Sequence, residues 1–472
     1  MKGLIIVVLI IVIVAGAAFG QSSPPPASKP PSYTLSRWDE DYRYLKDGKG
    51  NDIFDPIKYI RLNDAGDWYL SLGAQARYRY EFFDNNNFGA GVQDDNGFHL
   101  LRVLAHADLH LGDNFRLFFQ VKSALIEGRD GGPRPTDADE ADIQQAFGDL
   151  TIPFAEKSSA MVRVGRQDLA YGAQRLISPL DWTNVRRTFE GVRGSLKFSG
   201  QTLDLFWVRP VIVDKDELNQ GDDDTSFAGI YDVITLPTLI QNANSRLDVY
   251  FLALNKDNNA TTPVESDTYT IGTRFWTNPK PWDVDVEADY QFGEFGTGDI
   301  SAWSFAIEGG YTFANTSMSP RVHLGFDIAS GDDDPTDPDR QTFNQLFPLG
   351  HLYFGFIDVI GRQNIIDLHP GVTLKLTPQL TFRGDYHIFW RQSSSDAMYA
   401  ASGAPLIAAG ASSDKFIGQE ADLLLTWQVD RHFQVYGGYS HFFAGDFVEE
   451  SGAATGADED IDFLYAALVY TL

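Results

Sequence analysis

Arginine is placed in this sequence where it could recognise anions. Arg77 and Arg79 stand two apart within "WYLSLGAQARYRYEFF", and Arg102, Arg116, Arg163 and Arg193 recur in the segments that follow. A guanidinium presents a planar fork of donors that grips carboxylate oxygens in pairs, and it stays charged at any working pH. Repeated along one wall, such groups offer an anion many weak contacts in series rather than one tight one. Lys122 and Lys197 join them, against only Glu81, Asp108 and Asp204. A second constellation is acidic. "WDVDVEADYQF" carries Asp283, Asp285, Glu287 and Asp289 at alternate positions, and Glu308, Asp327, Glu420 and Asp422 come later.

Catalytic chemistry finds less support. His106, Asp108 and His110 share one face of an extended segment, but strand spacing separates them, so they read as polar filling rather than a metal site. His323, His351, His369, His387 and His441 have no local serine or carboxylate arrangement that assigns a triad. There is no G-x-S-x-G, H-E-x-x-H or phosphate loop, so the sequence reads as a non-enzyme without a cofactor. The absence of Cys excludes disulfides, thiol nucleophiles and thiolate metal sites. A net charge of -28 argues against a nucleic-acid partner.

The elements that must position these charges are strands. In residues 68–83, Leu70, Leu72, Ala74, Ala76, Tyr78, Tyr80 and Phe82 alternate with Ser71, Gly73, Gln75, Arg77, Arg79 and Glu81. Successive strand side chains point to opposite faces, so the ribbon has one apolar and one charged side. About eighteen such segments follow one another, each close to the length a tilted strand needs to cross a bilayer. The alternation is blurred near Ile143 and Phe227.

Connections discriminate between a sandwich and a barrel. Tight turns such as "GDN" after Leu111 and "TPQ" after Leu376 alternate with long polar links such as "DNNNFGAGVQDDNG" and "SGDDDPTDPDRQ". That regularity predicts an all-β, up-and-down antiparallel transmembrane barrel, monomeric, with short periplasmic turns and long outer loops. Its apolar face meets lipid and lipopolysaccharide, and its charged face lines a water-filled lumen. The closing "DFLYAALVYTL" puts Leu464, Ala466, Leu468, Tyr470 and Leu472 on one face, a final strand that the barrel-assembly machinery could read. Acidic runs at Asp222–Asp224 and Asp332–Asp339 fall in the long links, where they read as solvated loops with a divalent cation as the lesser alternative.

Four regions result. Residues 1–20 have the Lys2 n-region, apolar core and small-residue end of a cleaved export signal, which directs the chain to the bacterial outer membrane. Residues 21–36 form a Pro-rich periplasmic spacer, 37–67 lead into the barrel, and 68–472 form it.

Residues 162–193, "VRVGRQDLAYGAQRLISPLDWTNVRRTFEGVR", resemble the alginate-export family, as do "QTFNQLFPLGHLYFGFIDVIGRQN", "IGQEADLLLTWQV" and "YGGYSHFFAGDF" in the same order. The resemblance implies diffusion of an anionic polysaccharide or related solute through an Arg-lined lumen closed by loops, fed by periplasmic export partners. It marks Arg163, Arg166, Gln167, Tyr171, Arg175, Arg187 and Arg193 as lumen or constriction positions, with Glu420 and Asp422 as acidic partners. The alternatives are a closed barrel with a structural or adhesive surface role and, less favoured, a barrel hydrolase.

Overall fold

The computed structural model describes residues 30–48, 50–237, 243–259, 264–452 and 456–472. The export signal and most of the Pro-rich spacer lie outside the described residues. Eighteen long strands follow in chain order. They are β1 (Trp68–Asp84), β2 (Phe98–Leu111), β3 (Phe115–Glu127), β4 (Asp139–Ala155), β5 (Ser158–Gln167) and β6 (Phe189–Phe198). Next come β7 (Gln201–Ile212), β8 (Thr225–Leu236), β9 (Ser245–Lys256), β10 (Ser266–Thr277), β11 (Trp282–Phe295) and β12 (Gly298–Thr312). The wall is completed by β13 (Arg321–Ala329), β14 (Ile365–Lys375), β15 (Leu380–Trp390), β16 (Phe416–Gln428), β17 (Phe433–Ala444) and β18 (Ile461–Thr471).

Each strand pairs antiparallel with the next, and β18 returns to β1 with Tyr470 opposite Ala76 and Leu464 opposite Phe82. Closure leaves no strand edge to be satisfied by lipid, which cannot hydrogen-bond. Connections at one end are short, as at 112–114 and 199–200, whereas 168–188, 330–364 and 391–415 at the other end are long. By the rule that short turns are periplasmic, the long loops belong to the outer side. No helix among the described residues is long and apolar enough to cross a membrane.

The charged parity points inward as predicted. Arg77 and Arg79 are buried, while Tyr78 between them is 41% exposed on the outside. Val103, Phe119, Val249, Leu425, Leu464 and Leu468 are exposed on the same outer belt.

The two blurred strands have physical causes. β4 starts at Asp139, ahead of Ile143, and its pairing with β3 slips between Gln120 and Val121 and again between Lys122 and Ala124. Each slip is a bulge that breaks the two-residue period. In β8 the inward residues include Phe227 and Tyr231, which are buried against other aromatic rings. Here the inner face is as apolar as the outer one.

That observation corrects the expected water-filled lumen. The outer half of the barrel encloses an apolar core in which Phe189, Phe227, Phe389 and Phe442 of the wall surround Phe343, Phe354 and Ile360 of the 330–364 connection. The segment "RQTFNQLFPLGHLYFGFIDVIGRQN" folds into the barrel because its Phe and Ile side chains would otherwise be left in water.

Candidate functional site

The lumen is occupied by three segments, and the sequence-predicted charges hold them. The first is the connection 168–188. At its root Asp168 accepts from Gln144 Nε2 at 3.0 Å and pairs with Arg186 at 2.6 Å. The chain reverses at Gly172, where φ is +56° and a β-carbon would lie 2.6 Å from the Tyr231 hydroxyl. Only glycine meets both demands.

At the tip, residues 181–183 present carbonyls to the basic wall. Arg77 donates to Asp181 O at 2.8 Å and to Thr183 O at 2.6 Å, and Arg79 donates to Trp182 O at 2.5 Å. Arg102 donates to Asp181 O at 3.0 Å and to its carboxylate at 2.9 Å. Burial would raise the Asp181 carboxyl, but Arg102, Arg186 and Arg77 hold it below its ordinary value.

The second segment, 330–364, zips onto the first. Ser178 N donates to Phe347 O at 2.9 Å, Phe347 N to Leu176 O at 2.9 Å, and Leu349 N to Gln174 O at 3.0 Å. Trp182 stacks on His351 with centroids 3.6 Å apart. Glu420 and Asp422 anchor this segment to β16, accepting from Ile357 N at 2.9 Å and Phe356 N at 3.4 Å.

The third segment is N-terminal and fills the periplasmic half. Arg37 donates to Leu472 O at 3.0 Å, and Arg116 donates to Trp38 O at 2.5 Å. Trp38 lies 3.9 Å from the Arg163 guanidinium, which sits 3.6 Å from the Phe147 ring centroid on β4. Residues 37–67 therefore do more than lead into the barrel.

The structure separates the predicted arginines by partner. Arg116 pairs with Asp108, Arg163 with Asp149 through two bonds of 2.8 Å, and Arg193 with Asp204 at 2.9 Å. Arg166 binds Glu190 at 2.6 Å and Asp142 at 3.1 Å, and Arg79 also contacts Glu81 at 2.6 Å. Arg77 and Arg187 have no ion pair among the described residues. Arg187 donates to Ser178 O at 3.1 Å and is half-buried beside Phe347. Burial pushes its pKa down to about 10, so it remains a cation at neutral pH.

The opposite wall is laced with cations that the strand alternation did not single out. Arg321 bridges Asp283 at 2.5 Å and Glu308 at 2.6 Å. Arg175, from the first inward segment, reaches Asp285 at 2.8 Å and Glu287 at 2.9 Å. Arg321, Asp283, Glu308, Arg175 and Asp285, together with Arg383 and Tyr353, line a cavity of about 320 Å³ between the inward segments and β10–β15. Arg321 and Arg383 begin or interrupt their strands' inward rows, and a count of inward charges could have found them. Trp38 carried no such signal, because it precedes the first strand.

A closed barrel of this size, belted with apolar side chains and carrying charged inward segments, is an outer-membrane barrel of the channel-forming type. The chain belongs to the alginate export family, whose sequence pattern it matches over residues 68–460. No curated protein sequence matches the chain. Among solved structures it is similar to Pseudomonas aeruginosa OpdO, at 13% identity and TM-score 0.56, covering 85% of this chain and 97% of that one. It is similar to Pseudomonas aeruginosa OccK11 (OpdR), at 12% identity and TM-score 0.52, with 85% and 96% covered. The vanillate complex of Pseudomonas aeruginosa OpdK gives 11% identity and TM-score 0.56, with 85% and 98% covered. At these identities the likeness establishes the fold.

Proposed function

We propose that this outer-membrane channel passes an anionic polysaccharide or oligosaccharide by diffusion, with Arg187 as a direct contact and Arg77 as a source of field. The observation that carries this reading is that both cations donate to backbone carbonyls and form no ion pair with a carboxylate among the described residues. A neutral acceptor completes the hydrogen bonds of a guanidinium without cancelling its charge, so an anion still meets a positive potential. Uronate carboxylates match the fork of Arg187. The path is closed in this conformation, and passage requires the inward segments, the N-terminal one among them, to withdraw.

The test is single-channel recording of the refolded protein in a planar bilayer, with oligouronates added to either side. Anion preference and current block by oligouronate are the expected outcomes. Arg187→Gln removes one charge-assisted contact, worth about 1.5 kcal/mol at the lower end for a half-buried group, and weakens block roughly tenfold. Cation selectivity without block would discard the polyuronate reading. No conductance, even after residues 30–58 are deleted, would favour the closed structural barrel, which the filled lumen also suits.

A further inference from the structure

We propose that the lumenal face of β14 and β15 holds a divalent transition-metal ion, zinc or one of similar chemistry, bound by Asp367, His369 and His387. Asp367 and His369 are two apart on β14 and therefore share its inward face, and the antiparallel neighbour β15 brings His387 beside them. The donor atoms of the three residues lie within 4.8 Å of one another, and all three side chains are buried. Asp367 Oδ2 is 2.7 Å from His369 Nδ1 and 3.0 Å from His387 Nδ1. Donors around tetrahedral zinc are about 3.3 Å apart at ordinary bond lengths, so each pair need open by only a few tenths of an ångström.

Three further features favour a cation. Asp367 Oδ1 and Asp422 Oδ2 are buried without hydrogen-bond partners, an expensive arrangement for carboxylates that a bound cation would relieve. Asp422 Oδ2 stands 3.7 Å from His387 Nε2. With Nδ1 on a metal, His387 carries its proton on Nε2 and directs it at Asp422, the carboxylate–histidine–metal relay that orients imidazole ligands. Room for the His369 ring comes from Gly325 on β13, where a β-carbon would lie 1.8 Å from Nε2. The 320 Å³ cavity lies on this side of the wall, and its lining includes His323, a ring 6.5 Å from that of His369. Two imidazoles and a carboxylate suit zinc, cobalt, nickel or copper better than calcium or magnesium. Three protein donors are also the number zinc takes where a fourth position holds water.

The test uses the full refolded chain in detergent, stripped with chelator and then given Zn²⁺ or Co²⁺ alone. One equivalent of zinc retained after desalting, and visible Co²⁺ absorption bands, are expected. His369→Gln and His387→Gln each abolish the retained equivalent, Asp422→Asn weakens binding by about 10-fold to 100-fold, and His441→Gln at a separate His–Asp pair changes nothing. Heat-modifiable gel migration checks that each variant is folded. If a ligand variant fails to fold, Cu²⁺ bound to the wild-type chain gives the answer, because its electron spin echo modulation counts coupled imidazoles and two are expected. No retained metal, fewer than two imidazoles, or an unchanged equivalent in folded His369→Gln/His387→Gln protein would overturn the assignment. Each of these readouts is independent of whether the barrel conducts.

Discussion

Trp38→Ala should loosen the N-terminal segment enough to be seen as channel opening. The indole has three identified ring interactions: the Arg163 guanidinium at 3.9 Å, Phe147 edge-on at 6.2 Å, and the Arg193 guanidinium at 5.7 Å, near the limit of cation–π range where it adds little. A cation–π contact with a desolvated partner is worth about 1–2 kcal/mol, and Arg163 is 1% exposed. An edge-to-face aromatic pair adds about 0.5–1.5 kcal/mol. Against these stands the indole N–H, which is buried with no acceptor, and its desolvation costs about 1 kcal/mol. The net loss is about 1.5 kcal/mol, which multiplies the ratio of open to closed channels roughly tenfold. Planar-bilayer recordings at fixed voltage measure that ratio as open probability. The variant should raise open probability roughly tenfold while leaving the conductance of the open state unchanged. Equal open probability in the two proteins would refute the reasoning, because a segment that gates the lumen cannot lose a net-stabilising contact without opening more often. Higher open-state conductance would also refute it, since Trp38 would then obstruct an already open path.

Other predictions address the walls. Asp149→Asn leaves Arg163 buried without its partner and should cost about 3–5 kcal/mol, read as a lower urea midpoint for unfolding from detergent or vesicles. An unchanged midpoint would mean that water reaches Arg163. On the outside, Leu468→Arg puts a charge in the lipid belt, where Leu468 is 45% exposed, and should destabilise the folded barrel in vesicles by about 2 kcal/mol. A neutral outcome would move this face out of the bilayer.

What the sequence revealed follows from which signals are local. Parity along β1 is local, so the inward placement of Arg77 and Arg79 was readable before any pairing was known. Turn lengths are local too, and their alternation fixed the up-and-down topology. β4 and β8 were harder for different reasons: β4 contains bulges, while β8 faces protein on its inner side. Partners are not local. Arg163 and Asp149 read as candidate path residue and unremarkable strand residue, yet antiparallel register makes them a bidentate pair. The same holds for His369 and His387, which stand on consecutive strands and become neighbours only through the register of the β14–β15 pairing. Glu420 and Asp422 were visible as inward acids, but their role in holding backbone N–H groups of 356–357 depends on a loop whose course no pattern gave. The signal for that course was the Phe and Ile content of 341–363, because a surface link has no means of hiding such side chains.

The filled lumen and the proposed passage of a polyanion are compatible because hydrogen bonding and charge neutralisation are separate accounts. Arg163, Arg166 and Arg193 face carboxylates, so their fields are largely spent within the wall. Arg77 spends its hydrogen bonds on Asp181 and Thr183 carbonyls and keeps its charge. Arg391 does the same in the outer loops, donating to the carbonyls of Asp396 at 2.9 Å and Ser412 at 2.8 Å. A barrel whose interior served only to be filled would gain by pairing these cations with acids or by replacing them with apolar groups, since an unneutralised buried charge is costly. Retaining them is consistent with a field that acts on something passing through. Because the guanidinium of Arg77 is sheathed by loop backbone, an anion would feel it at a distance without being gripped by it, and Arg187 alone of the two would make direct contact. Weak, distributed attraction of that kind lets a charged polymer enter and still leave.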